Sequence, residues 1–232
     1  MTYTLETPVL GVPASSPEHG SLGWSSPALL LSERHTVVVD PGGPGYQQHW
    51  DSWLAAAGRT RSDVDTVLVT HAHWDHLAAA AWFPGAELGI GRLELEWARR
   101  CAGTDPYLHP ALVQMVETWP ALRPLVGGER VHGIDSVATP GHTPGHLSYH
   151  VPTPGAPVLV VGDAVKNAYE LATGDLQIAS DRAAAVTSLG RVRGLAARGA
   201  RILLGHDGVY EVHAGVLVAI RRARLSITEV PG

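Results

Sequence analysis

The sequence predicts an α/β fold in which two β-sheets pack face to face and helices cover the outside. Three observations carry this prediction. Short β-branched runs occur in both halves of the chain, helical segments lie between and after them, and Gly or Pro turns bound the runs. We expect a single domain over residues 1–232, because no linker, charge block or low-complexity segment divides the chain.

The first half alternates predicted strands and helices. The pattern predicts strands over residues 37–40, 66–70 and 87–90, and helices over 50–57, 77–82 and 92–101. The helix over 50–57 is indicated by apolar side chains at i, i+3, i+4 and i+7, with Gly58 placed to end it. Residues 102–130 contain four prolines and are less regular, and we expect a helical insertion over the site there.

The second half returns to strands. The pattern predicts strands over residues 131–138, 146–151, 158–161 and 201–204. Asp181 is the expected N-cap of a helix whose apolar face repeats at residues 185, 189, 192 and 196. A closing helix is expected over 212–225.

Composition excludes several classes of protein. With 17 basic and 22 acidic residues, the net charge of −5 gives no general electrostatic reason to bind nucleic acid, so we expect no such partner. The single Cys101 can form neither an intramolecular disulfide nor a Cys-rich zinc site. No segment has the ~18 apolar residues of a membrane span, and no signal-peptide pattern opens the chain. We therefore expect a soluble, cytoplasmic protein with no membrane partner.

A dense motif of metal-ligand residues, His71-Ala72-His73-Trp74-Asp75-His76, follows the strand over 66–70. Alternate residues of an extended segment point the same way, so His71 and His73 can bind one ion. The following turn redirects Asp75 and His76 toward a second ion. Imidazole with carboxylate suits zinc, and also iron, manganese or cobalt.

Three later residues supply what a dinuclear site still lacks. His142 lies in a Pro-Gly turn that opens a predicted strand, Asp163 follows the strand over 158–161, and His206 follows the strand over 201–204. Each stands just past a strand, where loops gather at one end of a sheet and carry function.

The complete pattern of ligand residues resembles the metallo-β-lactamase superfamily over residues 37–207. The resemblance implies an αββα sandwich with two mixed sheets and a site for two divalent metal ions, Zn²⁺ first, with Fe or Mn as alternatives. It assigns His71, His73 and His142 to site one, Asp75, His76 and His206 to site two, and Asp163 to a bridge between them. It further implies that Asp40 orients a ligand through a hydrogen bond.

The implied chemistry is hydrolysis of a small ester or lactone. Two adjacent ions can share a hydroxide made from water at neutral pH, and they can polarise a carbonyl. Asp75 is expected to accept a proton and pass it to the leaving group. Trp74 is expected to contact an apolar substrate from the variable position of the motif.

The resemblance is closest to N-acyl homoserine lactonase-like members. The stretches 93–97, 139–146 and 205–207 are similar to theirs. Those lactonases have a catalytic tyrosine three residues after the bridging aspartate, where this chain has Lys166. We expect Lys166 to act as the electrophile, with Tyr169 reaching the substrate from nearby.

Other activities remain as alternatives. Asp163 argues against a true β-lactamase, because those members have Cys or another residue at that position. A thioesterase with glyoxalase II-like chemistry, an iron-dependent persulfide dioxygenase-like enzyme and a phosphodiesterase or nuclease of the superfamily stay open. The expected partner is a small-molecule substrate. Apolar side chains in 102–130 are compatible with a homodimer, although core packing is the preferred interpretation.

Overall fold

The computed structural model describes residues 1–18 and 20–225. The strands are β1 Thr4–Glu6, β2 Ser15–Ser16, β3 Gly20–Ser21, β4 Ala28–Leu31, β5 Thr36–Val39, β6 Thr66–Leu68, β7 Glu87–Gly91, β8 Leu122–Leu125, β9 Arg130–Val131, β10 Ile134–Ala138, β11 Leu147–Val151, β12 Val158–Val160, β13 Arg201–Leu203, β14 Val209–His213 and β15 Val216–Arg221. The α-helices are α1 Gln47–Ala56, α2 Trp74–Leu77, α3 Arg92–Cys101, α4 Pro110–Glu117, α5 Ala168–Thr173 and α6 Arg182–Ala197. Short 3₁₀ helices cover Pro44–Tyr46, Arg61–Asp63, Ala78–Trp82 and Gly162–Ala164.

Two mixed sheets form the centre of the fold. The first has the strand order β1-β4-β5-β6-β7-β8, and its strands from β5 to β8 run parallel. The second has the order β15-β14-β13-β12-β11-β10-β9, in which β12 and β13 are the parallel pair. Strands β2 and β3 form a separate small hairpin.

The alternation of side chains along the strands creates three apolar layers. Val37 and Val39 of β5 pack between the two sheets, together with Val160 of β12, whereas Val38 faces the helices on the outer side. In the second sheet, Leu159 faces α6 on the opposite outer side. The arrangement is helix, sheet, sheet, helix, which confirms the predicted αββα sandwich.

Most predicted elements are confirmed within two or three residues, and α3 coincides with its predicted range. Helix α6 begins as predicted, because the Asp181 side chain accepts a hydrogen bond from Ala184 N–H. The predicted strand over 131–138 is divided into β9 and β10 by a turn at His132 and Gly133, both of which have positive φ. Within residues 1–18 and 20–225, no helix is long and apolar enough to cross a membrane.

The predicted closing helix over 212–225 is wrong. Residues 209–221 form the hairpin of β14 and β15, whose two-residue loop consists of Ala214 and Gly215, both with positive φ. Along β15, Val216, Val218 and Ile220 are exposed and alternate with half-buried residues. The alternation of exposed and half-buried residues with a period of two, together with the β-branched side chains, favours a strand over the predicted helix.

The expectation for residues 102–130 is correct only in part. They contain one helix, α4, and then β8, which pairs in parallel with β7 at the edge of the first sheet. Pro124 lies within β8, and an edge strand tolerates the missing N–H of a proline because one side of the strand is unpaired. The segment is therefore partly a strand of the main sheet.

The hairpin assignment predicts the effect of replacing Ala214 by glycine. An alanine at φ 50 is strained, so Ala214→Gly should raise the free energy of unfolding by about 0.5–1 kcal/mol. The matched control Ala219→Gly lies within β15 and should lower it by a similar amount. Urea unfolding measures both. A loss of stability in both variants would indicate a helix and contradict the hairpin.

Candidate metal centre

All seven residues with ligand chemistry come together at one edge of the sandwich. Each lies in a loop or short helical turn between strands of the two sheets, and each is buried. They are His71, His73, Asp75, His76, His142, Asp163 and His206. Because loops of both sheets converge here, residues that are distant in sequence become neighbours.

The seven residues divide into two adjacent ligand sets. In the first set, His71, His73 and His142 each offer a ligand atom within 4.8 Å of the others. The second set meets the same limit with Asp75, His76 and His206. Two sets of three ligands can hold two ions.

The carboxylate of Asp163 lies between the two sets. Its Oδ2 is 3.4 Å from His142 Nε2 in the first set. Its Oδ1 is 3.2 Å from both His76 Nε2 and His206 Nε2 in the second set. One oxygen therefore faces each set, which is the arrangement of a carboxylate that bridges two ions.

The donor atoms fit divalent metal ions. His71 Nε2 is buried without a hydrogen-bond partner, and such an atom is costly unless a cation or water satisfies it. His142 Nε2 lies 3.1 Å from His73 Nδ1. Because the other ring nitrogen of His142 already faces Ile178 O, Nε2 is the nitrogen that His142 directs at the ligand set. Buried imidazole and carboxylate donors of this kind suit Zn²⁺ and also Fe or Mn.

Hydrogen bonds donated by the Nδ1–H groups orient four of the rings. The partners are Thr70 Oγ1 for His71, Asp40 Oδ2 for His76, Ile178 O for His142 and Trp24 O for His206, at 2.8–3.1 Å. This leaves Nε2 of each ring directed into the centre. His73 is reversed, because its Nδ1 faces the centre and its Nε2 lies 3.6 Å from Asp105 Oδ1.

Asp40 holds the start of the ligand loop. It follows β5 with φ 48, and its carboxylate accepts hydrogen bonds from Thr70 N–H at 2.7 Å and from Thr70 Oγ1–H at 2.8 Å. The same carboxylate meets His76 Nδ1 at 2.8 Å. One buried acid therefore fixes both the loop backbone and the orientation of a ligand ring.

The electrostatics of the two sets differ. Burial lowers the pKa of His71 and His73 well below its ordinary value and that of His142 to about 4. For His76 and His206, burial acts in the same direction, but nearby carboxylates, Asp163 foremost, raise the pKa. Burial alone would raise the pKa of Asp163, yet the surrounding imidazoles hold it well below its usual range.

His146 is buried beside the centre but is positioned as a structural residue. Its Nε2 accepts a hydrogen bond from Ala164 N–H at 3.2 Å, next to Asp163, and its Nδ1 meets Thr139 Oγ1 at 2.9 Å. Both ring nitrogens are thus used, and the ring ties the loop of Asp163 to the turn that carries His142.

A cleft of about 390 Å³ opens onto the ligands. One wall comes from the N-terminal segment around the β2–β3 hairpin, and the others from the 102–109 loop and the loops next to α5. Besides the ligands, the lining side chains include Val12, Pro13, Tyr107, Lys166, Asn167, Gln177 and Ile178. The cleft therefore has a polar floor of candidate ligands and walls that combine apolar and polar side chains.

Lys166 is the only lysine of the chain and lines this cleft. Its Nζ is 4.0 Å from Asp163 Oδ2, and its side chain is mostly buried. Its backbone is held on both sides, because Lys166 N–H donates to Glu170 Oε2 and Lys166 O accepts from His206 N–H, both at 2.7 Å. The backbone from which the Lys166 side chain extends is therefore firmly held.

The sequence predicted that Trp74 and Tyr169 contact the substrate, and the structure locates both elsewhere. The Trp74 indole packs against Gly23 and Gly43, behind the wall of the cleft, because these glycines have no side chain to exclude it. Tyr169 is 55% exposed on α5, and its hydroxyl donates to Asp175 at 3.4 Å. Tyr107, whose ring centroid is 5.3 Å from that of His73, is the aromatic residue that lines the cleft.

Sequence reasoning missed the N-terminal wall and the buried acid Glu94. The sequence around the β2–β3 hairpin lacks the long periodic runs that predict strands, so no pattern indicated that residues 12–15, 20, 21 and 23 lie at the cleft. The similarity over 93–97 indicates no role for Glu94. The structure buries this acid between two ligand loops. An acid within the predicted helix over 92–101 was the available signal.

The chain belongs to the metallo-beta-lactamase superfamily, whose family model matches residues 23–206. A curated relative, the hydroxyacylglutathione hydrolase of Saccharophagus degradans, is 29% identical over 143 residues, which cover 58% of this chain and 44% of the relative. The chain spans between 34% and 60% of the length of three of the curated relatives that it matches.

Solved structures share the fold at low sequence identity. A metallo-beta-lactamase-like protein from Thermotoga maritima has a TM-score of 0.75 at 19% identity, covering 91% of this chain and all of that one. The dizinc quorum-quenching lactonase AidC, solved with N-hexanoyl-L-homoserine, has a TM-score of 0.70 at 17% identity, covering 97% and 93%. These likenesses confirm the fold.

The raised pKa values predict that metal binding releases protons. Nearby carboxylates raise the pKa of His76 and His206 above its ordinary value, so both rings hold protons more readily in the metal-free protein than a free imidazole does, whereas an ion binds only neutral imidazole. Binding of Zn²⁺ should therefore release protons. Affinity should rise with pH until both rings are neutral.

Isothermal titration calorimetry in buffers with different ionisation enthalpies counts the released protons. A binding heat that is independent of the buffer would contradict the protonated state of His76 and His206.

Proposed function

We propose that the chain is a dinuclear metal-dependent hydrolase that opens a small, neutral ester or lactone. The observation that carries the proposal is the position of Asp163, with one carboxylate oxygen toward each of two three-residue ligand sets. A single-ion site would have no use for the second set of buried ligands.

The proposed ligands are those of the two sets. His71, His73 and His142 would hold one ion, and Asp75, His76 and His206 the other, with Asp163 shared. Zn²⁺ suits this donor set best, with Fe or Mn as alternatives. When bound, two divalent ions would supply a nucleophile from water at neutral pH and a Lewis acid for the substrate carbonyl.

Two residues of the chain complete the proposed chemistry. Asp75 lines the cleft, and its carboxylate can take a proton and pass it to the leaving oxygen. Lys166 can donate a hydrogen bond from Nζ to the carbonyl oxygen as negative charge develops there. Its fixed backbone supports this role, since a preorganised donor loses little freedom when the substrate reacts.

The charge of the cleft supports a neutral substrate. Lys166 carries the one permanent positive charge among the described residues that line it, and it already lies near Asp163. A glutathione thioester brings two carboxylates that lie away from the reacting bond, and these would need cationic side chains that the described lining of the cleft does not offer besides Lys166. The apolar side chains Val12, Pro13 and Ile178 in the cleft lining instead suit an aliphatic group.

Thioester hydrolysis is the second candidate. Several curated relatives are named hydroxyacylglutathione hydrolases, at 28–38% identity over parts of their length. A metal site of the same kind attacks an ester or a thioester carbonyl, so the substrate group outside the reacting bond decides between them.

A hydrolysis panel tests the proposed substrate class. Acyl homoserine lactones, simple lactones, glutathione thioesters, a phosphodiester and a β-lactam are compared by kcat/KM, with metal quantified in every sample. We expect neutral lactones or esters to exceed glutathione thioesters by about tenfold or more, because the described lining of the cleft offers no cationic side chain besides Lys166 for the two glutathione carboxylates. A preference for glutathione thioesters would replace the first candidate with the second.

Removal of the Lys166 ammonium tests the proposed electrophile. Lys166→Met should lower kcat by about 10²-fold while leaving two ions bound, as expected for the loss of one oxyanion donor. Lys166→Arg keeps a cationic donor at the same position and should recover part of the activity. Full activity of Lys166→Met, or loss of metal in proportion to loss of turnover, would refute this role.

A further inference from the structure

Glu94 is a buried acid for which the proposed chemistry has no use. It lies in the first turn of α3, its side chain has no exposed surface, and burial raises the pKa of its carboxyl to about 7. It belongs to neither ligand set and does not line the cleft. A carboxylate buried at such cost calls for a role in holding its surroundings.

The carboxylate joins the two loops that carry the ligands of the first set. Glu94 Oε1 accepts a hydrogen bond from Ala72 N–H at 2.9 Å, between His71 and His73. Glu94 Oε2 accepts one from Gly145 N–H at 3.1 Å, in the turn that contains His142. The first loop follows a strand of one sheet and the second precedes a strand of the other.

Close packing fixes the acid against the second loop. A Cβ at Gly145 would lie 1.9 Å from Glu94 N, and a Cβ at Gly91 would lie 2.2 Å from Gly145 O. Only glycine at both positions lets the start of α3 approach this turn. Leu147 N–H also donates to Thr70 O nearby, so Glu94 adds a second link, closer to the ligands.

We propose that Glu94 is a positioning residue that sets the distance of His71 and His73 from His142, and thereby the affinity of the first ligand set for its ion. The proposal rests on the dinuclear centre described above. Glu94 does not line the cleft, and the hydrogen bonds of the described residues do not join it to a ligand side chain. It acts through the backbones of the two loops, which its two oxygens hold at one separation.

Two acceptor oxygens are what this position requires. A glutamine has the same size but only one acceptor, and its NH₂ group would face a backbone N–H. An aspartate keeps both oxygens but is one methylene shorter and cannot reach both loops from the same backbone. Each substitution should therefore release one loop while leaving the seven ligands in the chain.

The experiment titrates the metal-free protein with Zn²⁺ against a chromophoric chelator. For the wild type we expect two bound ions. Glu94→Gln should weaken one of the two affinities by about 10- to 100-fold and leave the other unchanged, as is common when the support of a ligand is lost. Glu96→Gln, on the same helix and with the same change of charge, should bind both ions as the wild type does.

Turnover separates positioning from catalysis. With limiting zinc, Glu94→Gln should lose activity, and saturating zinc should restore its kcat. A kcat that stays depressed when both sites are full would overturn the positioning role. So would unchanged affinities in Glu94→Gln, or an equal loss at both sites.

Glu94→Asp provides a second variant if the glutamine variant does not fold, which circular dichroism reports. It should show the same selective loss of one affinity, and wild-type binding of both ions would overturn the proposal. A wild type that binds only one ion would refute the dinuclear function. The effect of Glu94 on that ion would still be measured separately.

Discussion

The arrangement of the centre depends on the interaction of the Asp163 carboxylate with the imidazole rings around it. The carboxylate is buried among imidazole rings that come from loops of both sheets, and these rings lower its pKa. A buried charge without partners costs several kcal/mol, so the loops must bring their rings to it with little freedom. The backbone carbonyls of Trp24 and Ile178 hold two of those rings in place.

Three further buried acids each hold the backbone of a loop at the centre. Asp40 accepts from Thr70 N–H before the first ligand, and Glu94 accepts from Ala72 and Gly145 between ligands. Glu170 accepts from Lys166 N–H and Gln177 N–H on the opposite wall. An ionised carboxylate is an acceptor only, so it suits loops whose N–H groups lack partners in strands or helices.

Features that depend on neighbouring residues could be predicted from the sequence, whereas features that depend on distant parts of the chain could not. The β-branched run of β5 and the helical spacing of apolar residues in α1 are local, and both elements were predicted correctly. The β14–β15 hairpin was mistaken for a helix, because a short apolar run supports either assignment until its partner strand is known. Trp74 was expected at the substrate, but its direction depends on the room that Gly23 and Gly43 leave for the ring.

The sequence by itself determined the ligand chemistry and the αββα fold class. Residue type and spacing within the motif from His71 to His76 are local properties, and so are the strands that precede His142, Asp163 and His206. Only the tertiary structure decided which oxygen of Asp163 faces which ligand set, and that Glu94 joins two ligand loops. The walls of the cleft also depend on the tertiary structure. Val12, Tyr107 and Ile178 line the same cleft because the packing of the two sheets sets the distances between their loops.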